Sequence, residues 1–440
     1  MEFSTQGERL KKIRKMLKMK QRELQDKNIT RGFISMIESG RSTMSKETAS
    51  VIAEKFNKRA KEIGINLNID GEYLLMTPAE EAEYYCVQKL KEINNEDDLS
   101  KINELLEIAE KYGRKRVNAL ISIKIGDIMY NANKYIDAIL NYNKALELLM
   151  MYGFKEQIPY VYNMLGVCKM NITDYAEAIF YFDKAMSFAD EINDKSIRNK
   201  AIYNISLCYK HIGKYDDAIE YAEKFLKDCN KSDELINYIY ASSIKANCFR
   251  TMGFLEKSLD VYKNLLNGVN DENSIAGFIY SNIGEIYADL NDYEKSLEYL
   301  DKAEKIRRSK DEKSLSHTLI EKANVLFKIG DTKESISLME EGISIANKNN
   351  DIEYIIMGNY RLADIYKQLN DREKEINTYN KILEVVKNIN SVKELLKVHI
   401  KLSKLYLEDD NVDKCRNHLS EADKIAGSMR LYSNIFIKPR

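Results

Sequence analysis

Residues 165–185 read LGVCKMNITDYAEAIFYFDKA, and residues 205–224 read ISLCYKHIGKYDDAIEYAEK. Shifted by forty, the two agree where size matters: Gly166 meets Ser206, Cys168 meets Cys208, Tyr175 meets Tyr215 and Ala178 meets Ala218. A fixed period of this length marks stacked supersecondary units. Working outward, a small residue recurs at Gly126, Gly166, Ser206, Ala246, Gly284, Ala323, Ala363 and Ser403, in steps of 40, 40, 40, 38, 39, 40 and 40. Nine residues later come Tyr135, Tyr175, Tyr215 and Tyr293. Twelve later come Ala138, Ala178 and Ala218, then Ser258, Ser296 and Ser335, and nineteen later Ala145, Ala185, Ala303 and Ala422. Small residues where two helices cross, with large ones beside them, are what a packed helical hairpin demands. Residues 78–430 therefore hold about eight clear hairpins, with 79–112 as a degenerate ninth that caps them, and 431–440 form a tail.

Both quoted stretches carry the glycine, tyrosine and alanine positions of the tetratricopeptide repeat, which the array resembles over roughly 320 residues. The resemblance implies an all-α, right-handed superhelical solenoid whose first helices line a concave, peptide-binding groove. The units exceed the family's usual 34 residues, so their connections must be longer.

The first sixty residues differ. Thr5 and Glu8 make a capping box ahead of GERLKKIRKMLKMK, where Leu10, Ile13 and Leu17 form one apolar stripe. QRELQDK reads as a short second helix with Leu24 inward, NIT as a break, and RGFISMIESG as a third helix stopped by Gly40. Ser45 caps a fourth, KETASVIAEKFN. Short helix, tight turn, short helix among basic residues reads as a helix-turn-helix. Its recognition helix would present Thr30, Arg31, Gly32 and Ser35 to the major groove, with Arg41 just beyond. Arg31 can donate twice to a guanine edge, and Gln21 can hold a phosphate at the start of the second helix.

KQREL, TRGFISMIESGR and IAEKFN resemble the repressor/Cro-like (XRE) helix-turn-helix family. That resemblance implies DNA contacts for Gln21, Arg31 and Ser35. The chain departs from the family in NIT, shorter than the usual lead-in, and in Gly32, where a larger polar residue is usual. We place this domain at 1–66 and a linker at 67–77, ending where Thr77, Pro78 and Glu80 signal a new helix.

Charge follows the same division. Residues 1–61 hold sixteen Lys/Arg against seven Asp/Glu, and the remainder 52 against 62, a basic head on an acidic body. Three prolines, eighteen glycines and no tryptophan argue against a sandwich or barrel, and no apolar run suffices to span a membrane. The start lacks a signal-peptide core, so a cytoplasmic location is expected. Six cysteines show no zinc or CxxC spacing, and Cys168, Cys208 and Cys248 recur with the repeat as packing residues. The four histidines are expected in separate hairpins, and no HExxH, GxSxG or P-loop occurs. We expect no enzyme, no cofactor and no metal.

On the first helices, the side chains expected to face the groove are Tyr160, Asn163, Lys200, Tyr203, Asn204 and Lys210, then Tyr240, Asn247, Arg250, Phe278, Asn282, Glu285 and Asn324. Asparagine amides offer a donor and an acceptor each, so a ladder of them can pair with a peptide backbone. Lys200, Lys210 and Arg250 suggest a carboxylate on that peptide, and Glu285 and Asp289 an amine.

A basic XRE domain fused to forty-residue tetratricopeptide hairpins resembles the Rap/Rgg/NprR/PlcR/PrgX group of quorum-sensing receptors. The resemblance implies a homodimer on double-stranded operator DNA, switched by a short signalling peptide bound through inner-helix asparagines. Phage lysis-lysogeny (arbitrium-type) receptors share the layout. A protein partner such as a response regulator is the rival to DNA.

Overall fold

Thr5 and Glu8 do start the first helix as a reciprocal capping box, Glu8 Oε2 accepting the Thr5 N–H at 2.9 Å. From there the chain is all-helical. Residues 2–230, 234–270, 273–388 and 391–436 are described in its computed structural model. Among them are twenty-two α-helices and no strand, only an isolated bridge between Asp26 and Ile29. Backbone contacts divide the chain into two units, 1–228 and 229–440.

In the first unit, the head comprises α1 (Gln6–Met16), α2 (Arg31–Glu38), α3 (Lys46–Glu62) and α4 (Gly71–Leu75). Leu10, Leu17, Leu24, Ile34, Ile37, Ile52, Phe56 and Leu74 fill its core. α1 crosses α2 so closely that a Cβ at Gly7 would lie 2.1 Å from the Ile37 carbonyl oxygen. Only glycine fits there.

Two expectations for the head are corrected. QRELQDK forms a single 3-10 turn, Gln21–Leu24, not an α-helix. Gln25 is already extended, and Asp26 and Ile29 exchange both backbone hydrogen bonds, which delivers Ile29 to the core. Residues 67–77 are not a free linker. Leu67, Ile69, Tyr73 and Leu75 pack on the head's core, and the Asn57 amide brackets the Ile69 backbone, donating to its carbonyl at 2.7 Å and accepting its N–H at 3.0 Å.

The array begins with α5 (Pro78–Glu92) and α6 (Leu99–Lys111), the expected cap. Three hairpins follow in this unit: α7 (Lys115–Asn131) with α8 (Tyr135–Tyr152), α9 (Ile158–Asn171) with α10 (Tyr175–Ile192), and α11 (Lys195–His211) with α12 (Tyr215–Asp228). A buried arginine joins head to cap. Arg9, 1% exposed, donates to the carbonyls of Ser4, Tyr73, Leu74 and Met76 and pairs with Glu81 on α5 at 2.9 Å. Phe3 sits against the rings of Tyr85 and Tyr112, at 5.6 and 5.3 Å.

The second unit holds five hairpins: α13 (Leu235–Thr251) with α14 (Leu255–Leu266), α15 (Ser274–Asp289) with α16 (Tyr293–Lys310), α17 (Glu312–Lys328) with α18 (Thr332–Lys348), α19 (Ile352–Gln368) with α20 (Arg372–Asn388), and α21 (Val392–Glu408) with α22 (Val412–Phe436). The side chains of the SNIFIKPR tail, 433–440, lie outside the described residues. The last hairpin holds both His399 and His418, their Nδ1 atoms 3.0 Å apart, so the histidines do not all fall in separate hairpins.

In both units the small residues work as expected. A Cβ on Gly126, Gly166 or Gly284 would meet the Tyr142 ring, the Phe182 ring or Leu300 at 2.6–2.7 Å. Ala138, Ala178 and Ala218 are fully buried twelve residues on. At two of the three serines in that slot the hydroxyl ties the helices together, Ser296 Oγ donating to the Gly284 carbonyl and Ser335 Oγ to the Ala323 carbonyl, each at 2.7 Å, whereas Ser258 Oγ is buried without a hydrogen-bond partner among the described residues.

Each of the eight hairpin turns contains one residue with positive φ, and all but one are glycine, asparagine or aspartate. The exception is Thr173 at φ +63°, a β-branched residue in the left-handed region. Replacing it with glycine should raise stability by about 1 kcal/mol, read as a higher melting temperature. Gly7→Ala should do the opposite, costing about 3 kcal/mol and lost protection of the α1 and α2 amides in hydrogen exchange.

Candidate functional site

The outer face of α2 carries the DNA-contact candidates. Thr30 caps the helix, its Oγ1 accepting the Phe33 N–H at 3.2 Å. Its hydroxyl proton stays available to a phosphate. Arg31, Gly32, Ser35 and Arg41 are all exposed. Ile34 and Ile37, on the opposite side, are buried. Sequence reasoning passed over Met36, which lies on the same outer face with 46% exposure.

Gln21 is placed differently from the other candidates. Its Nε2 donates to Glu38 Oε2 at 2.9 Å, and Glu38 also takes Arg14 Nε at 2.6 Å and Nη2 at 2.9 Å. Arg14 Nη1 donates in addition to the Met19 carbonyl. Gln21 therefore positions the turn against α2, which leaves a phosphate only its second Nε2 hydrogen and its backbone N–H. Burial alone would raise the Glu38 carboxyl, but the Arg14 and Gln21 hydrogen bonds outweigh it and hold the group below its ordinary value.

On the inner helices of the first unit, Tyr160 is not open. Its hydroxyl and that of Tyr142 both donate to Asp127 Oδ1 at 2.7 Å. Burial pushes the Asp127 carboxyl up, with the two phenols opposing. Asn163 is 7% exposed and accepts from Asn204 Nδ2 at 3.5 Å, a pair of amides on adjacent hairpins. Tyr203 packs 5.7 Å from the Phe225 ring, Lys200 is exposed, and Lys210 is half-buried.

In the second unit, Tyr240 and Phe278 meet edge to face at 5.7 Å. The Tyr262 hydroxyl lies 2.9 Å from Asn247 Oδ1 and 3.0 Å from Asn282 Oδ1, and Asn282 Nδ2 donates to the Phe278 carbonyl. Those two asparagines serve a buried phenol before any peptide. Arg250 is bound by Glu285 and Asp289, which removes the expected division into a carboxylate-binding and an amine-binding end. Burial, and then the neighbouring Glu321 charge, push the Glu285 carboxyl up, while Arg361 pairs with Glu321 at 2.8 Å. Asn324 is half-buried.

Asp127, Tyr142 and Tyr262 were missed, although a signal existed. Tyrosines at 142, 262 and 379 stand sixteen residues after the aligned small residue, and Asp127, Asn247 and Asp364 stand one after it. Where the later position is Phe182 or Ala222, the earlier one is Val167 or Leu207. A buried phenol calls for a polar neighbour on the facing helix. Burial, then the Asp364 charge, push the Tyr379 phenol up to about 12.

Comparison with known proteins finds two families in the chain. A helix-turn-helix domain family matches residues 7–80, and the tetratricopeptide repeat matches 159–191, 200–227, 279–310 and 358–385. No curated protein matches the sequence. Among solved structures, the apo quorum sensor NprR from B. thuringiensis is 16% identical, with a TM-score of 0.51 over 79% of this chain and 97% of its own. A Rap protein complexed with competence and sporulation factor is 12% identical over 80% and 99%, at a TM-score of 0.48. The Rap conjugation gene regulator of plasmid pLS20, in complex with the Phr* peptide, is 16% identical over 99% and 98%, at 0.43. The chain carries a helix-turn-helix domain and tetratricopeptide repeats. This pairing and the NprR-like fold agree with the resemblance to the Rap/Rgg/NprR/PlcR/PrgX group. No described helix is long and apolar enough to cross a membrane.

The Glu38 cluster gives a pH dependence. A carboxyl held below its unfolded value contributes fully above that value, and the contribution is lost as pH falls through the folded value. Protection of the α1 and α2 amides should drop between about pH 5 and 3 in the parent and much less in Glu38→Gln. Arg14→Ala, which strands Glu38, should cost about 3 kcal/mol at neutral pH.

Proposed function

We propose that this chain is a peptide-responsive transcription regulator, binding operator DNA through α2 as a homodimer and a short linear peptide on its inner helices. The observation that carries the DNA half is the α2 face: Arg31, Gly32, Ser35 and Arg41 stand exposed on a formed helix-turn-helix with a basic surface. One such helix reads only a few base pairs, so a specific site calls for two copies spaced by helical turns.

The peptide half has support from the fold shared with NprR, a quorum sensor. We assign its contacts first to the α9 and α11 faces, where Asn204, Tyr203, Lys200 and Lys210 cluster beside Asn163. In the second unit, Asn247, Asn282 and Arg250 already have partners, leaving Tyr240, Phe278 and Asn324 as the stronger candidates there. A peptide switches DNA binding only if it prefers one arrangement of the hairpins over another.

Two measurements test this. Titration of a random-sequence duplex pool should give salt-dependent binding and, after selection, a preferred sequence. Arg31→Ala should weaken the preferred duplex by about 1–3 kcal/mol while leaving nonspecific binding nearly intact. Purification from the native host, followed by mass spectrometry, should yield a small bound peptide. Its affinity should fall in Asn204→Ala with helicity unchanged. A protein partner without a peptide, and no duplex preference, would transfer the reading to a protein-binding regulator.

A further inference from the structure

The first turn of α2 contains a residue that the fold does not explain. A Cβ on Gly32 would meet one neighbouring atom, Thr30 Oγ1, at an ordinary contact distance of 3.9 Å. Gly7, by contrast, sits against a carbonyl and Gly71 against the Ser50 backbone. Glycine is among the poorest helix formers, so Gly32 weakens α2 with no steric return inside the chain. One turn further along the same face stands Met36, 46% exposed. The core does not need it, because α2 already buries Ile34 and Ile37 and packs Phe33.

The segment that holds this bare apolar spot is more basic than acidic. Residues 20–46 hold six Lys/Arg against three Asp/Glu, and Glu38 is already bound by Arg14. Lys27, Arg31, Arg41 and Lys46 are exposed. A slim apolar spot in a predominantly basic segment is complementary to the major groove at a thymine. The thymine 5-methyl is the apolar feature of that groove's base edges, and phosphates flank it.

We infer that Gly32 and Met36 form a thymine-reading patch, Gly32 letting the α2 backbone approach the base edge and Met36 covering the 5-methyl group. The inference rests on the DNA-binding reading and adds a base preference to it. Methionine suits the task, because its unbranched, polarizable side chain adapts to the position of the methyl group. Arg31, at the start of the same helix, remains available to a guanine. The half-site then combines at least one A·T pair read by shape and methyl contact with a pair read by hydrogen bonds.

The test uses the full-length protein and a 30-bp duplex selected by it from a random pool. Each thymine of that duplex is replaced in turn by deoxyuridine, which removes only the 5-methyl group. One replacement per half-site should weaken binding by the parent roughly tenfold. The same replacement should leave Met36→Ala, already weaker on the thymine duplex, unchanged. Gly32→Leu, for which the helix has room, should melt no lower than the parent yet bind the selected duplex at least tenfold more weakly. Replacements without effect at every position overturn the patch while leaving DNA binding in place. So does an equal loss in the parent and in Met36→Ala. Failure to select any duplex, or capture of a protein on α2 instead, overturns both the patch and the DNA-binding reading.

Discussion

A close crossing inside each hairpin fixes the rest of the array. At Gly126, Gly166 and Gly284 the first helix has no Cβ, and the ring or branched side chain of the second helix occupies the space that a Cβ would take. Dispersion and apolar burial at such a contact depend on tenths of an ångström. The sequence can vary widely elsewhere once that distance is met. Serine replaces alanine at 296 and 335 because its hydroxyl can return a hydrogen bond to the facing carbonyl. Alanine at 246 and 323 serves in place of glycine.

The same crossing decides the chemistry of the inner face. A tyrosine used as the filling side chain brings a hydroxyl into the interior, and a buried hydroxyl without a partner is costly. Asp127 answers Tyr142, and Asn247 answers Tyr262. Tyr160 and Asn282 then join those groups from the next hairpin, so the polar contacts also link neighbouring repeats. An asparagine facing inward is thus not by itself a ligand group. Asn204 differs, because its one intramolecular contact is long, 3.5 Å to Asn163, and its amide keeps capacity for a further partner.

Periodicity made the hairpins legible because each repeat imposes the same steric demand at the same offset. The eight turns, the capping boxes at Thr5 and Thr77, and the buried alanines all follow from spacing. The head's α1, α2 and α3 were legible for a similar reason, each having a cap and an apolar stripe. What escaped depended on single contacts between distant residues. No period announces that Asn57 will bracket Ile69 and hold 67–75 against the head. Nor does one announce that Arg250 will meet Glu285 thirty-five residues away and form an ion pair with it. The Gln21 side chain was read from position alone, and its capture by Glu38 depends on how α2 packs on α1.

Arg9 carries the consequence for how the head can move. Its guanidinium is buried among carbonyls of Ser4, Tyr73, Leu74 and Met76, with Glu81 of α5 completing the set. Ser4 N–H also donates to Glu81 at 2.7 Å, and Phe3 fills the space between Tyr85 and Tyr112. Breaking one side of such a cluster leaves a charge buried without compensation. Only Met76 and Thr77 lie between α4 and α5, so no slack exists to let the head swing while the cluster stays closed. The exposed face of α2 is therefore referenced to the cap, α5 and α6, through α1 and α4. A rearrangement of α5 and α6 would displace that face as part of one body, changing where it points rather than how freely it moves.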